Sequence, residues 1–186
     1  SSSIPMKVVA GLGNLWPVPK ESRHNFGAWV VEALAETLGL RWEWWWSSWC
    51  WIAKPHPVDD VSFALLLPAI PYNLSGASIR RALDMLDAEV ADLTVLHDDI
   101  DIEVGCWAVK SGGSDGGNRG VRSIQQSLGT AEFQRLRLGV GRPADGSRSS
   151  AAISAHVLGP VEDELSNRWH AFVSSGEMSR LLRLIP

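Results

Sequence analysis

Apolar positions along the chain alternate between short unbroken runs and helical spacings. Residues 6–12 form an apolar run with Lys7 as the one charge and read as a buried strand. Residues 25–38 then place Phe26, Trp29, Val30, Ala33, Leu34 and Leu38 at helical intervals and stop at Gly39, the signature of an amphipathic helix. A second strand is predicted over 61–67, followed by a Pro68-to-Pro71 turn and a helix over 75–86 with Asn73 at its start. Residues 93–96 predict a short strand that delivers His97 and Asp98 at its C-terminal end, where open α/β sheets place their sites. Further strands are expected over 104–109 and 135–140, a glycine-rich loop over 112–120 feeds a helix over 121–128, and the chain from 160 onward reads as helical. Strands that alternate with helices, without an internal repeat, predict an α/β sandwich on a mixed, mainly parallel sheet.

Length sets the domain count. A chain of 186 residues is long enough for one full core and short of the size at which a second becomes the default, so one domain is expected over 6–186. Ser1 to Pro5, ahead of Met6, read as a cloning remnant. No apolar run approaches eighteen residues, which predicts no membrane span, and no secretory signal is visible. The two cysteines, Cys50 and Cys106, have neither metal-ligand spacing nor the density of a disulfide scaffold and fit a reducing compartment, so the cytoplasm is the expected setting.

The net charge of −4 does not advertise a nucleic-acid binder, but the charge is unevenly spread. Residues 84–104 carry eight acids and no Lys or Arg. Over 105–150 seven cations outnumber three acids, and that segment is suited to a phosphate-bearing partner.

Two glycine motifs invite a nucleotide reading and fail it. Ala10-Gly11-Leu12-Gly13-Asn14 follows a strand like the opening of a dinucleotide fingerprint, but Trp16, Pro17 and Pro19 stand where a third glycine and a helix are required. The loop over 112–120 lacks the Gly-Lys-Ser/Thr ending of a P-loop, so its glycines either let backbone amides approach a ligand or form an ordinary loop. Singly, Asn14 and Asn73 read as turn or cap residues, His24 as a surface histidine and Asp98 as a strand-end acid. Together they are a base, an acid and two amides at loop positions that can converge on one rim of the sheet, a set suited to activating water.

Five blocks in order carry a resemblance. Val9-Ala10-Gly11-Leu12-Gly13-Asn14, Arg23-His24-Asn25-Phe26-Gly27, Tyr72-Asn73-Leu74-Ser75-Gly76, His97-Asp98-Asp99-Ile100-Asp101 and Arg135 to Pro143 resemble the bacterial-type peptidyl-tRNA hydrolases, and His156-Val157-Leu158-Gly159 is similar too. The resemblance covers nearly the whole chain from Met6. It implies a single-domain three-layer sandwich and a monomeric, metal-free, cofactor-free esterase that cleaves the bond between peptide and tRNA. In it His24 would activate water and Asp98 would orient and charge-stabilise His24. Asn14 and Asn73 would hold the peptide end and help place the water or the reacting carbonyl, with Tyr72, Asn25, Asn118 and Arg119 completing the substrate-contacting set. Lys110 and Arg137 would grip the 5′ phosphate of the tRNA, as two cations on adjoining elements can clamp one dianion.

The chain departs from the family pattern in places. A His-Asn pair of the glycine-rich loop reads Asn118-Arg119, which puts a permanent cation where a compact amide would stand. The Pro-Gly after the first asparagine is replaced by Leu15-Trp16, and an aromatic of the same loop aligns with Pro19. Ten tryptophans accompany a single tyrosine, six of them within residues 42–51. A strand there buries only alternate side chains, so some indoles must face solvent, nucleic-acid bases or a protein surface, and self-association through the segment is one outcome. These features read as a divergent or redesigned sequence on the family backbone. Two alternatives to the hydrolase therefore stand: an RNA- or protein-binding member that does not turn over, and a scaffold without activity.

Overall fold

Strand β1 (Met6–Gly11) is fully buried over its last four residues, which demands neighbours on both edges and both faces. It has them: β4 (Ser62–Pro68) and β5 (Leu93–Asp99) flank it, both parallel. The computed structural model describes residues 6–15, 18–54 and 62–186. Residues 1–5, expected to be a remnant, Trp16 of the altered Leu15-Trp16 pair and the expected strand start at Val61 lie outside the described residues.

The remaining strands are β2 (Trp42–Trp45), β3 (Cys50–Ala53), β6 (Trp107–Ser111) and β7 (Gln134–Gly139), giving the order β2-β3-β4-β1-β5-β7-β6. Four central strands run parallel; β2 and β3 at one edge and β6 at the other are antiparallel to their neighbours. Helix α1 (Phe26–Leu38), with α5 (Asp163–Ser174) and α6 (Glu177–Leu184), covers one face around Val9, Val30, Leu34, Leu96, Trp169 and Leu182. Helices α2 (Ser75–Met85) and α3 (Arg119–Leu128) cover the other around Val8, Ala10, Leu66, Ile79, Leu83 and Ile124. The architecture is the expected three-layer α/β sandwich on a mixed sheet. Among the described residues no helix is long and apolar enough to cross a membrane.

Two strands differ from their predicted bounds by three residues at one end. β5 runs on through His97 and Asp98 instead of stopping at Leu96, because both residues continue the parallel register with Arg137 and Leu138. β6 starts at Trp107, not at 104, because a turn closed by Cys106 N–H to the Glu103 carbonyl (3.0 Å) occupies 103–106. A helix the sequence did not suggest, α4 (Ser150–Leu158), is capped by Ser149, which accepts from Ala152 N–H.

The tryptophan-rich segment is a hairpin rather than one strand. Trp42 packs against the α1 side of the sheet and Trp45 against the α2 side. Trp44, Trp46, Trp49 and Trp51 pack on one another with ring centroids 5.1–6.1 Å apart, and Trp46 remains 72 % exposed at the turn.

Gly27 fixes how the site is assembled. A β-carbon there would run into the Leu96 carbonyl, so only glycine lets the first turn of α1 lie directly on β5. The chain is stitched at the same place, with Leu12 N–H donating to the Leu96 carbonyl (3.1 Å) and Ala28 N–H to the Leu12 carbonyl (3.0 Å). The loop after β1, the start of α1 and the end of β5 are thereby held as one unit.

Candidate active site

A cleft of about 780 Å³ opens at the C-terminal ends of the parallel strands. Its floor carries His24, Tyr72 and Asp98, its rim Asn14, Asn73, Asn118 and Arg119, and one wall is the face of α4 bearing Ser150, Ile153, Ser154 and Val157. The site thus lies where an open α/β sheet leaves its crevice.

His24 sits in a single 3-10 turn, Arg23–Asn25, directly ahead of α1. Arg23 pins that turn to the wall. Its guanidinium donates to the His156 carbonyl (2.9 Å) and to Glu162 Oε1 (2.7 Å). His24 Nδ1 lies 2.9 Å from both carboxylate oxygens of Asp98. Asp98 is 4 % exposed in its side chain, and an ionised carboxylate can only accept, so Nδ1–H is the donor to it, and in the neutral imidazole the lone pair is then on Nε2. Among the described residues nothing hydrogen-bonds Nε2. A neutral imidazole whose tautomer is fixed by a buried acid, with its other nitrogen free beside a cleft, is equipped as a general base.

The lone tyrosine lies under this base. Tyr72 is buried, its ring stacks on His24 at 3.9 Å between centroids with 24° between planes, and its hydroxyl donates to Asp98 Oδ1 at 3.2 Å. Burial, then the charge of Asp98, hold the phenol well above its ordinary pKa, so it stays a donor. Asn118 is the N-cap of α3: its Oδ1 accepts from Val121 N–H (3.0 Å) and its Nδ2 donates to the Tyr72 hydroxyl (2.8 Å). Gly120 leaves room for this contact, since a β-carbon there would fall 2.6 Å from Tyr72 Cε1. His97, behind the site, is buried and bonded through Nδ1 to the Asp98 carbonyl (2.8 Å), and burial pushes its pKa down.

The other expected residues divide. Asn14 lines the cleft, and its Nδ2 is buried with no hydrogen-bond partner among the described residues. Asn73 and Arg119 are exposed at the rim. Asn25 is not among the residues lining the cleft. It is buried, its Oδ1 accepts the Asn14 backbone N–H and its Nδ2 donates to the Pro19 carbonyl (2.7 Å), so it braces the loop that carries Asn14. Lys110 and Arg137 lie outside the cleft on the edge strand β6 and its neighbour β7, where the register sets Lys110 opposite Arg135 and Ala108 opposite Arg137. They are diagonal neighbours on one face of the sheet. Lys110 Nζ donates to the Ser114 carbonyl (3.0 Å), and Arg137 Nε to Asp99 Oδ2 (2.8 Å).

Two contributors were not visible as such in the sequence. Arg135 is 1 % exposed and donates to the carbonyls of Ser114 (2.5 Å), Gly113 (3.1 Å) and Ala131 (3.1 Å), so it anchors the glycine-rich loop from beneath. Helix α4 supplies a wall; Ser149 ahead of an alanine-rich stretch that ends at Gly159 is the cap-and-stop signal that marks it. No cluster of three or more His, Cys, Asp or Glu among the described residues could hold a metal ion.

Known proteins with the same pattern decide the family. The peptidyl-tRNA hydrolase family model matches residues 8–180. The chain belongs to the peptidyl-tRNA hydrolase family. The peptidyl-tRNA hydrolase of Bacillus subtilis (strain 168) is 35 % identical over 159 residues, 86 % of this chain and 81 % of that protein. The enzyme of the same name from Halalkalibacterium halodurans is 38 % identical over 159 residues, 86 % of this chain and 83 % of that protein. The crystal structure of peptidyl-tRNA hydrolase from Acinetobacter baumannii superposes with a TM-score of 0.80 at 25 % identity, covering 98 % of this chain and 95 % of that one. Family membership thus extends over the whole sandwich, cleft included.

Proposed function

We infer that the chain hydrolyses the ester joining a peptide to tRNA, with His24 as general base. The observation that carries the assignment is the His24–Asp98 contact at 2.9 Å, made through Nδ1, in a histidine that lines the cleft of a family member and whose Nε2 has no partner among the described residues. Nε2 takes a proton from water as the water oxygen attacks the acyl carbon. The tetrahedral intermediate collapses, the peptide leaves as a carboxylic acid, and the ribose oxygen takes the proton back from the imidazolium as a hydroxyl. Asp98 keeps the tautomer and balances the transient positive charge on His24. A base so placed supplies about a hundred- to ten-thousandfold in rate.

The unpartnered Asn14 amide and the rim amide of Asn73 hold the peptide end and the reacting carbonyl. Loss of one such donor commonly costs on the order of a hundred- to a thousandfold. Asn118 and Arg119 border the same space at the head of α3. Lys110 and Arg137 form the phosphate grip, outside the cleft and on the strand edge that leads to it. Peptidyl-tRNA as substrate supports a cytoplasmic setting.

Incubation with a peptidyl-tRNA in ¹⁸O-labelled water tests this reading. The expected result is release of tRNA with a free 3′ end and of a peptide carrying the label in its new carboxylate. Salt-dependent tRNA binding without release would instead establish the binding-only alternative.

A further inference from the structure

The contacts of Tyr72 form a directed chain of hydrogen bonds that ends on the base. Val121 N–H donates to Asn118 Oδ1, and this fixes which end of the amide faces Tyr72. Asn118 Nδ2 therefore donates to the Tyr72 oxygen, and the one hydroxyl proton is left for Asp98 Oδ1. Asp98 Oδ1 also accepts from His24 Nδ1, and the same tyrosine ring supports the imidazole from one side. Every rotatable group between the α3 cap and His24 is thus committed to one orientation.

We propose that Tyr72 is a positioning residue for the hydrolysis, setting the rotamer of Asp98 through its hydroxyl and the plane of His24 through its ring. The proposal rests on His24 being the base. A carboxylate held only by His24 could rotate about its last bond and follow the imidazole. Held also by Tyr72, it fixes where Nε2 points. The stacked ring has a second effect, because the face of an aromatic ring favours a cation, and His24 becomes one when it takes the proton from water. Tyr72 thereby acts through Asp98 and His24 rather than on the substrate.

The test compares Tyr72→Phe, which keeps the ring, with Tyr72→Leu, which removes both functions, and repeats Tyr72→Phe in an Asp98→Asn background. Tyr72→Phe is expected to lower kcat on peptidyl-tRNA by about tenfold with little change in KM, the loss set by one hydrogen bond to a charged group. Tyr72→Leu is expected to lower it further. In the Asp98→Asn background the Phe substitution should cost less than about threefold, since residues acting as one unit are not additive. Asn118→Asp, which retains the helix cap but competes for the tyrosine proton, should also lower kcat and does not alter the core.

A rise in KM with unchanged kcat in Tyr72→Phe would overturn the proposal in favour of direct substrate contact. So would a full cost retained in the Asp98→Asn background, which is the mark of a structural role. His24→Ala keeps the two readings apart. Turnover that depends on His24 but ignores Tyr72 sinks only the Tyr72 assignment, whereas turnover that ignores His24 sinks the base itself.

Discussion

Arg137, on the penultimate strand of the sheet, is ion-paired to Asp99 of β5, with Nε 2.8 Å from Oδ2 and the two side chains 29 % and 12 % exposed. The cation proposed to hold the tRNA phosphate is therefore partly neutralised by a residue that also lines the cleft. Asp99 thus lies between the cleft and Arg137, and in the proposed phosphate grip it would set how strongly that cation acts.

Asp99→Asn should tighten tRNA binding, because it frees the Arg137 guanidinium without moving it far. Several-fold lower Kd at low salt is expected. Arg137→Ala and Lys110→Ala should each weaken binding and reduce the salt slope by about one. Filter binding of tRNA over a salt series measures this. Equal slopes for all proteins would place the phosphate elsewhere.

Arg135→Met should loosen the glycine-rich loop. It removes three charged hydrogen bonds, to the carbonyls of Gly113, Ser114 and Ala131, and leaves each carbonyl with one other donor, Gln125, Lys110 and the Phe133 N–H respectively. A loss of about 2 kcal/mol or more is expected, a fall of several degrees in Tm for a chain of this size. Amide exchange should rise over 112–118 more than in β1. Uniform change across both would assign the effect to the core.

Below neutrality, His97 should make the fold acid-sensitive. Burial lowers its pKa from the ordinary 6.5, so below that value the unfolded chain binds a proton that the folded chain resists. Stability is complete above 6.5 and is lost as pH falls from there toward the lowered folded value. Tm measured at pH 7.5, 6.5 and 5.5 should fall less steeply in His97→Asn than in the parent. Parallel curves would show that protonation elsewhere dominates.

The two thiols should differ in reactivity. Cys50 is buried in β3, and burial pushes its pKa up to about 12, whereas Cys106 is exposed in the turn before β6. The native protein should therefore take up one equivalent of an alkylating reagent quickly and a second only on unfolding. Rapid modification of Cys50 in the native state would mean that the β3 edge opens readily.

Which parts of this structure could be read from the sequence follows from what each residue packs against. β1, β4 and the core of β5 are legible because strands buried on both faces leave continuous apolar runs. α1 is legible because one side faces the sheet and the other does not. α4 has no buried residue and no apolar stripe, so periodicity gives no signal for it. The site is a different case. His24 and Asp98 are 74 positions apart, and only the folded sheet end brings them to 2.9 Å. The resemblance named that pair, but Arg135 reads as one more strand cation until its burial is seen. Asn25 carries the same motif as His24, yet its side chain turns inward, a choice made by the Asn14 and Pro19 backbone groups it satisfies.

The assignment of His24 as the base is tested most directly by the single-turnover rate of peptidyl-tRNA hydrolysis by the parent and by His24→Ala, with tRNA affinity measured in parallel. The expected result is a fall of roughly a hundred- to ten-thousandfold in the rate constant at unchanged Kd, the loss of a general base and nothing else. A rate constant for His24→Ala within threefold of the parent would contradict it.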